Sequence, residues 1–443
     1  MVLKFALCPE FVEKTEGINN LSMVACPLEK GGTSMTGSPE IQVVEPRLPR
    51  HVICPHCRQK QLFIKQKEHW RTIKAPHLKH PFLLRVRMIY AKCRNPNCPH
   101  KSFALPITGV ERYQRATQTL ISEAVAGVVQ DNSTLRRIAK RLSRSFNTTG
   151  SKSTLDRWKQ RLASKYDFSE ILSQLQFSGA LCLDEYMPRR AGRYEQIAGD
   201  AIQRRILYIE PVPWFYGRGV TERFLRKLKN WGIQPYCVIF DLWTTFPKVV
   251  RKVWPEASLQ YDHFHVMKWI WHYLKNALIQ FRKSLKGERW VFHREELWEM
   301  KWGLLKHMDR WTEKEHLLIP EMIGIYKGTP VEKILLFKEE LWNIFDLSET
   351  KPDALAKRDA LAKENWWQDC WHLQKCVDFL MSPKFHLMLT YLEDPRVPRS
   401  GHSETLINVW RQMEAVRRGF KTPQGRLNHL KLFQITNYLK EPI

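Results

Sequence analysis

SGALCLDEY (residues 178–186), YEQIAGDAIQRRILYIE (194–210) and YCVIFDLW (236–243) are short apolar runs of strand length, parted by turn residues and by one helical stretch, TERFLRKLKNWG (221–232). Strand-length runs alternating with a helix read as an α/β fold. Two of the runs end in acids, Asp184 with Glu185, and Asp241. A carboxylate at a strand end beside other acids is costly unless something positive neutralises it. Mg2+ prefers oxygen ligands and commonly takes one or two carboxylates, leaving water and substrate phosphate to complete its shell. Asp184 and Asp241 on adjacent strands suit that role; the alternative is a solvated acid at each strand end.

Working outward, VWPEASLQYDHFHVMKW (253–269) adds a short strand that leads to Asp262, His263 and His265 at the mouth of a helix. His265 is placed to ligate a metal or contact substrate. The other reading is that Asp262 caps the helix and His265 packs or hydrogen-bonds near the site. Far downstream, SETLINVWRQMEAVRRGF (403–420) has helical periodicity, with Leu406, Val409, Trp410, Met413 and Val416 on one face. Glu404 lies off that face and forms a polar stripe with Asn408, Arg411 and Arg418. That stripe turns a carboxylate toward the strand-end aspartates and sets basic groups along a phosphate path, although a first-turn Glu is by itself an ordinary surface residue that suits the helix dipole.

The chain before this region is basic. Of 443 residues, 71 are Lys or Arg and 45 Asp or Glu, a formal charge of +26. From Glu40 to Lys165 there are 26 Lys and Arg against 7 Asp and Glu, so most of the excess lies there. A charge run is commonly only a solvated face, but a surplus this lopsided favours phosphate contact. No apolar stretch is long enough to span a bilayer. The opening MVLKFALC is soon followed by Glu10, Glu13 and Lys14 and does not read as a secretion signal. The expectation is a cytoplasmic protein with a polyanionic partner and no membrane contact.

Within the basic segment, Cys54-Pro-His-Cys57 and Cys93-Arg-Asn-Pro-Asn-Cys98 have the spacing of two zinc knuckles. The run FLLRVRMIYAKC (82–93) supplies a strand that brings the turns together. Four thiolates make a closed structural Zn2+ site, which serves folding and not catalysis. Four free thiols, or His56, His77 or His100 in place of one Cys, are the variants. Cys8, Cys26, Cys182, Cys237, Cys370 and Cys376 read as ordinary buried thiols. An apolar helical run, 117–130, then precedes STLRRIAKRL (133–142) and TGSKSTLDRWKQRL (149–162). Ser133 is a candidate cap for the first of these, with Arg136, Arg137, Lys140 and Arg144 outward. Ser151 or Ser153 is a candidate cap for the second, with Leu155, Trp158 and Leu162 inward and Lys152, Arg157, Lys159 and Arg161 open to DNA. This is a helix-turn-helix layout with a longer turn than usual; a plain amphipathic hairpin is the alternative.

Taken in order, the two Cys pairs, the helix pair, LDEY, FDLW, YDHFHVMK and SETLINVWRQMEAVRRGF resemble the ISL-three family of bacterial insertion-sequence transposases, from about Ile41 to the C-terminus. The sequence departs from the family pattern at Thr405 and Ile407, where Gly and Asn are usual. The resemblance implies an RNase H-like catalytic domain with a DDE triad, carried onto Asp184, Asp241 and Glu404. Asp262 is the competitor for the second acid or an auxiliary one, with Asp241 preferred because its strand directly precedes the helix TFPKVVRKVWPEA as in the family, and His265 is auxiliary near the site. Asp241 and Glu404 are 163 residues apart, so a helical insertion interrupts the domain. Its Trp-rich patterns, WVFHREELWEMKWGLLKHM (290–308) and ENWWQDCWHLQKCVDFL (364–380), fit that. Trp366 and Trp367 pack in its core or stack on an unpaired base.

The expected organisation is therefore a poorly ordered leader (1–40), a zinc-binding domain (41–110), a helix-turn-helix region (111–170), the first part of the catalytic domain (171–274), the insertion (275–398) and the last part of the catalytic domain (399–443). The implied function is cleavage and strand transfer of double-stranded DNA, at element ends and at target, by two Mg2+ or Mn2+ ions on the three acids. Arg136, Arg137, Lys140, Lys152, Arg157, Lys159, Arg411, Arg417 and Arg418 are the expected DNA contacts, and a homodimer forms on DNA. A catalytically inactive DNA-binding regulator derived from such an enzyme is the rival reading. An RNA-binding zinc protein fits the charge but leaves the acidic strand ends unexplained.

Overall fold

The computed structural model describes residues 22–25, 40–47, 52–60, 62–75, 82–99, 102–107, 109–111, 114–147, 150–188, 194–212, 218–417 and 420–442. Contacts divide the chain into Met1–Asp167 with Phe420–Ile443, and Phe168–Gly419. The boundary differs from expectation at the end of the chain. Residues 399–443 were drawn as one catalytic segment, but the last helix below packs with the front unit.

The front unit is built on strands β1 (Ser22–Ala25), β2 (Glu40–Arg47), β3 (Leu62–Ala75), β4 (Phe82–Cys93) and β5 (Ser102–Ala104), ordered β1-β2-β4-β3 with β5 on β4. β1 falls within the expected leader, most of which lies outside the described residues. β3 and β4 form a long antiparallel hairpin in which Leu62 pairs with Cys93. That register sets the turn carrying Cys54 and Cys57, just before β3, beside the end of β4. The hairpin alternates in burial: Leu84, Val86 and Met88 point inward with Ile73 and Ala75, and Ile107 and Val110 close the cluster.

Three helices follow, α1 (Gln118–Val129), α2 (Leu135–Phe146) and α3 (Lys152–Ala163). Their shared core is Ala124, Val128, Ile138, Ala139 and Leu155, flanked by Leu135, Leu142 and Trp158. The α2 cap is Thr134, not Ser133; its hydroxyl accepts from the Arg137 amide at 3.1 Å. Ser151 stands at the α3 N-cap but makes no side-chain cap bond. Between α2 and α3 the turn is held by Gly150, whose amide donates to Ser143 Oγ. A Cβ on Gly150 would run into the Ala139 carbonyl, so the close approach of turn and helix needs glycine here.

Lys159 is a further correction. It is 5% exposed, its ammonium donating to the Gly425 carbonyl at 3.3 Å and lying over the Phe420 ring. Gly425 belongs to the C-terminal helix Pro423–Gln434, which lies against α3; the long alkyl stem of Lys159 makes its burial possible. Arg136, Arg137, Lys140, Lys152 and Arg157 are exposed.

The second unit begins with α4 (Phe168–Gln174) and has a five-stranded sheet of β6 (Ala180–Tyr186), β7 (Glu195–Asp200), β8 (Arg205–Pro211), β9 (Cys237–Phe240) and β10 (Ser258–Tyr261). α5 (Arg218–Asn230) joins β8 to β9, and α6 (Thr245–Val253) joins β9 to β10. The sheet order is β10-β9-β6-β7-β8, with β6, β7 and β8 antiparallel and β6, β9 and β10 parallel. The parallel centre is buried on both faces, and Leu181, Val238, Ile239 and Phe240 are fully enclosed.

α7 (His263–Ser284) then leads into α8 (Val291–Glu299), α9 (Lys301–Leu305), α10 (Glu313–Ile325), α11 (Pro330–Phe345), α12 (Lys351–Lys363) and α13 (Trp371–Leu380), before α14 (Ser403–Arg417). Among the described residues, 275–398 hold no strand. The expected boundary at 274/275 falls inside α7, and that at 170/171 inside α4. A helix with an unbroken apolar face gives a composition change nowhere to show. Trp367 is buried with its Nε1 donating to the Leu361 carbonyl at 3.0 Å, which is a packing role. Cys182, Cys237, Cys370 and Cys376 are buried free thiols, whereas Cys8 and Cys26 lie outside the described residues. No helix among the described residues is long and apolar enough to cross a membrane.

Replacing Lys159 with Ala removes its buried stem and its bond to the Gly425 carbonyl and should destabilise the protein by about 1–3 kcal/mol. Arg136→Ala, at an exposed site, should cost less than about 0.5 kcal/mol. Denaturant melts of the two variants check the contrast; equal, small effects would contradict the buried placement.

Candidate active site and thiol cluster

The acids are set by strand register. Leu183 pairs with Phe240, and Phe240 with Tyr261, across parallel strands β6, β9 and β10. One residue further on come Asp184, Asp241 and Asp262, side by side at the spacing of neighbouring strands, about 4.8 Å. The three carboxylates thus begin as a row on one edge of one sheet face, and each is handled differently.

Asp262 is 2% exposed and fully engaged. Its Oδ1 accepts from the Phe264 amide at 2.9 Å, capping α7, and from Ser400 Oγ at 2.6 Å, while Oδ2 accepts from the Gly401 amide at 3.3 Å. Asp262 is the cap of α7, and also a clasp on the chain entering α14. The clasp is reinforced next door. The Arg399 guanidinium donates to Asp346 at 2.6 Å and to His263 Nε2 at 2.6 Å, and burial beside that cation pushes His263 down to about 3, keeping it a neutral acceptor.

Asp184 is 3% exposed. Its Oδ1 accepts from the Glu185 amide at 2.7 Å, and Oδ2 faces His265 Nε2 at 3.3 Å. Burial would lower the His265 pKa, yet the Asp184 carboxylate, with Asp262 and Asp241 behind it, holds it above the usual imidazole value. Asp241 accepts from the Trp243 amide at 2.9 Å. Burial, with the charges of Asp184 and Asp262, raises its pKa above the usual carboxylate range against the opposing pull of Trp243 and His265.

The chain on either side of Glu404 reaches the same face by another route. Gly401 lies against this face: a Cβ there would come within 2.6 Å of Cys182 Cβ and 3.3 Å of Ile239 Cγ2, two residues before Asp184 and Asp241. Leu406 occupies the space a Cβ on Gly199 would need, so α14 lies over β6 and β7. The Glu404 carboxylate itself pairs with Arg411 Nη1 at 3.3 Å and is 37% exposed. Among the described residues the three acids are not drawn within the 4.8 Å that unites the thiols below.

The buried face of α14 differs from the expected one. Ser403, Leu406, Ile407, Trp410, Met413 and Glu414 are inward, while Val409 and Val416 are exposed. Arg417, expected among the DNA contacts, is partly buried. It donates to the Met413 carbonyl at 2.7 Å, and burial lowers its pKa to about 10. Arg418 lies outside the described residues. Sequence reasoning did not find Ser400 and Gly401; the small residues of PRSGHSE (398–404) were the available signal.

In the front unit the four thiols Cys54, Cys57, Cys93 and Cys98 have their sulfurs within 4.8 Å of one another. Cys54 and Cys98 are 3.8 Å apart, and Cys57 and Cys93 3.6 Å. The edge of a tetrahedron with a zinc–sulfur bond of about 2.3 Å is about 3.8 Å, so the spacing is compatible with zinc. The Gln59 amide pulls Cys57 down to about 6, and burial pushes Cys93 up to about 12. Of the histidine variants, His56 is exposed and His77 and His100 lie outside the described residues.

A transposase family model of the ISL-three type matches residues 181–425, more than half of the chain. The chain belongs to the ISL-three transposase family. No curated protein matches it in sequence. Among solved structures, the Drosophila P element transposase strand transfer complex is similar at 12% identity, covering 75% of this chain and 94% of that one with a TM-score of 0.37. At that score the likeness decides neither fold nor function.

Because Asp241 has a raised pKa in the fold, its stability contribution is present below the ordinary carboxylate pKa of about 3.9 and is lost as pH rises through the folded value. Asp241→Asn should therefore raise the melting temperature near pH 7, without added divalent ions, by about 2–4 °C. The gain should shrink as pH falls toward 4. Melting curves across that range test it, and a variant that melts lower at neutral pH would contradict it.

Proposed function

We propose that the protein is an active DDE transposase that cuts and joins double-stranded DNA at an RNase H-like site, with Asp184, Asp241 and Glu404 as the divalent-metal ligands. The observation that carries this reading is the buried Asp184 beside the partly buried Asp241 at the ends of adjacent parallel strands. The sheet order, three antiparallel strands continued by two parallel ones on the side of β6, supports the RNase H-like reading. The residues fit Mg2+ or Mn2+, which take carboxylate oxygens and leave positions for water and phosphate. Bound there, two such ions lower the pKa of the attacking oxygen and stabilise the leaving one.

The chain's own residues do the rest. Asp184 and Asp241 hold one edge of the site and Glu404 closes it once released from Arg411, which is then free to meet a phosphate oxygen. His265 balances charge on Asp184, and Asp262 fixes where α14 starts. In the front unit, four thiolates around one Zn2+ lock the turns at the end of the β3–β4 hairpin. Arg136, Arg137, Lys140, Lys152 and Arg157 present charge to DNA from the helix pair, a reading supported by a groove lined by Arg137, Lys140, Arg141 and Arg144. Phosphate contacts of this kind set register, and a few side chains read bases. Joining two ends calls for two copies, so the working form is a homodimer on DNA. The Glu404–Arg411 pair favours a second reading, a DNA-binding regulator in which the third ligand stays tied down.

Cleavage of labelled DNA bearing the element's ends, with Mg2+ or Mn2+, separates the two. Asp241→Asn and Glu404→Gln should each lower cleavage by about 100-fold or more, beyond the 10–100-fold typical of outer-shell partners, while DNA binding persists. Wild-type protein that binds the ends and never cuts would establish the regulator instead. For the front unit, metal analysis of purified protein should find about one zinc per chain, lost in Cys93→Ser with partial unfolding. A zinc-free, fully folded wild type would refute the structural site.

A further inference from the structure

α7 starts at the acid row, with Asp262 as its cap and His265 against Asp184, and runs 22 residues, about 33 Å. On it Phe264, Lys268, Trp271, Lys275 and Arg282 fall within an arc of about 60° at 3.6 residues per turn. Phe264 and Trp271 are exposed, as are Trp298 on α8 and Trp302 on α9. The cations of this stripe lie against rings. Lys268 Nζ is 5.5 Å from the Phe264 centroid, Lys275 Nζ 5.9 Å from Trp302, and Arg282 Cζ 4.5 Å from Trp298. Lys301 sits over both indoles, 3.4 Å from Trp298 and 5.7 Å from Trp302.

None of these four cations is paired with a carboxylate among the described residues. In the same helical region Lys306 pairs with Glu315 at 2.6 Å, Lys333 with Asp369 at 2.5 Å and Lys351 with Glu393 at 2.8 Å. Exposed indoles interleaved with unneutralised cations are costly to leave in water and complementary to a polyanion that also carries flat apolar faces. A DNA duplex offers only the phosphates, because its base faces are stacked. An unpaired strand offers both, and base–aromatic stacking is tolerant of sequence.

We propose that this stripe of α7, with Trp298, Lys301 and Trp302 beside it, is a track for unpaired DNA leading from the acid row. The proposal rests on the DNA-cleaving reading for its occupant. During strand cutting and joining, nucleotides beside the scissile phosphate leave the duplex, and the track holds them.

Fluorescence anisotropy of the full-length protein without divalent ions, using a labelled oligothymidine of about 15 nucleotides and a duplex bearing the element's end, tests this apart from cleavage. Trp271→Ala/Trp302→Ala should weaken oligothymidine binding at least tenfold and duplex binding less than twofold. Trp271→Phe/Trp302→Phe should restore most of the loss, which also shows that the fold survives. Lys275→Gln/Lys301→Gln should flatten the salt dependence of oligothymidine binding by about 1.4 in log–log slope. Unchanged oligothymidine binding in the Ala variant, or equal loss for both probes, overturns the track. Loss of cleavage in an acid variant with the oligothymidine affinity intact bears on the metal site alone.

Discussion

Three aspartates brought into one row by parallel strand register are the constraint on which this unit depends. Neighbouring carboxylates at strand spacing repel, and burial makes the repulsion worse. Each acid is relieved in its own way: Asp262 by three hydrogen-bond donors and the N-terminal end of α7, Asp184 by one amide and the His265 imidazole, Asp241 by a single amide. Burial raises the proton affinity of Asp241 against the pull of that amide and of His265. A fold that keeps such a group gives up stability there, as folds do at functional sites.

The same row explains how a distant helix reaches the site. Asp262 binds Ser400 and Gly401 across 138 and 139 positions of chain, and Arg399 adds Asp346 and His263. Once that junction is stitched, the length of the helical excursion matters little, because loop-closure entropy grows only with the logarithm of length. The excursion is then free to carry other surfaces, and α7, which leaves directly from the clasp, is the element best placed to do so.

Much of this was legible in the sequence. SGALCLDEY, YCVIFDLW and YDHFHVMKW placed three strands and their terminal acids, because alternating apolar runs and strand-end carboxylates are local signals. The Cys pairs, with a strand ahead of the second, were equally local. What escaped was long-range. Whether Asp262 serves metal or structure depends on Ser400 and Gly401, which no spacing rule connects to it. Lys159 looks like its exposed neighbours on α3 until the C-terminal helix covers it. The inward face of α14 was misjudged by one position because Ile407 and Glu414 are buried while Val409 and Val416 are not, so hydrophobicity alone misdirects the phase. Domain limits at 170/171 and 274/275 cut through helices since amphipathic pattern continues across them.

The central claim is that Asp184, Asp241 and Glu404 meet around the same divalent ions. Fe2+ substituted for Mg2+, with ascorbate and peroxide, cleaves backbone only close to the bound metal, and mapping the fragments reads the site directly. The account predicts cuts clustered near residues 184, 241 and 404, all suppressed by excess Mg2+ and by Asp184→Asn. Cuts near 184 and 241 with none near 404, in protein bound to its DNA ends, would contradict it.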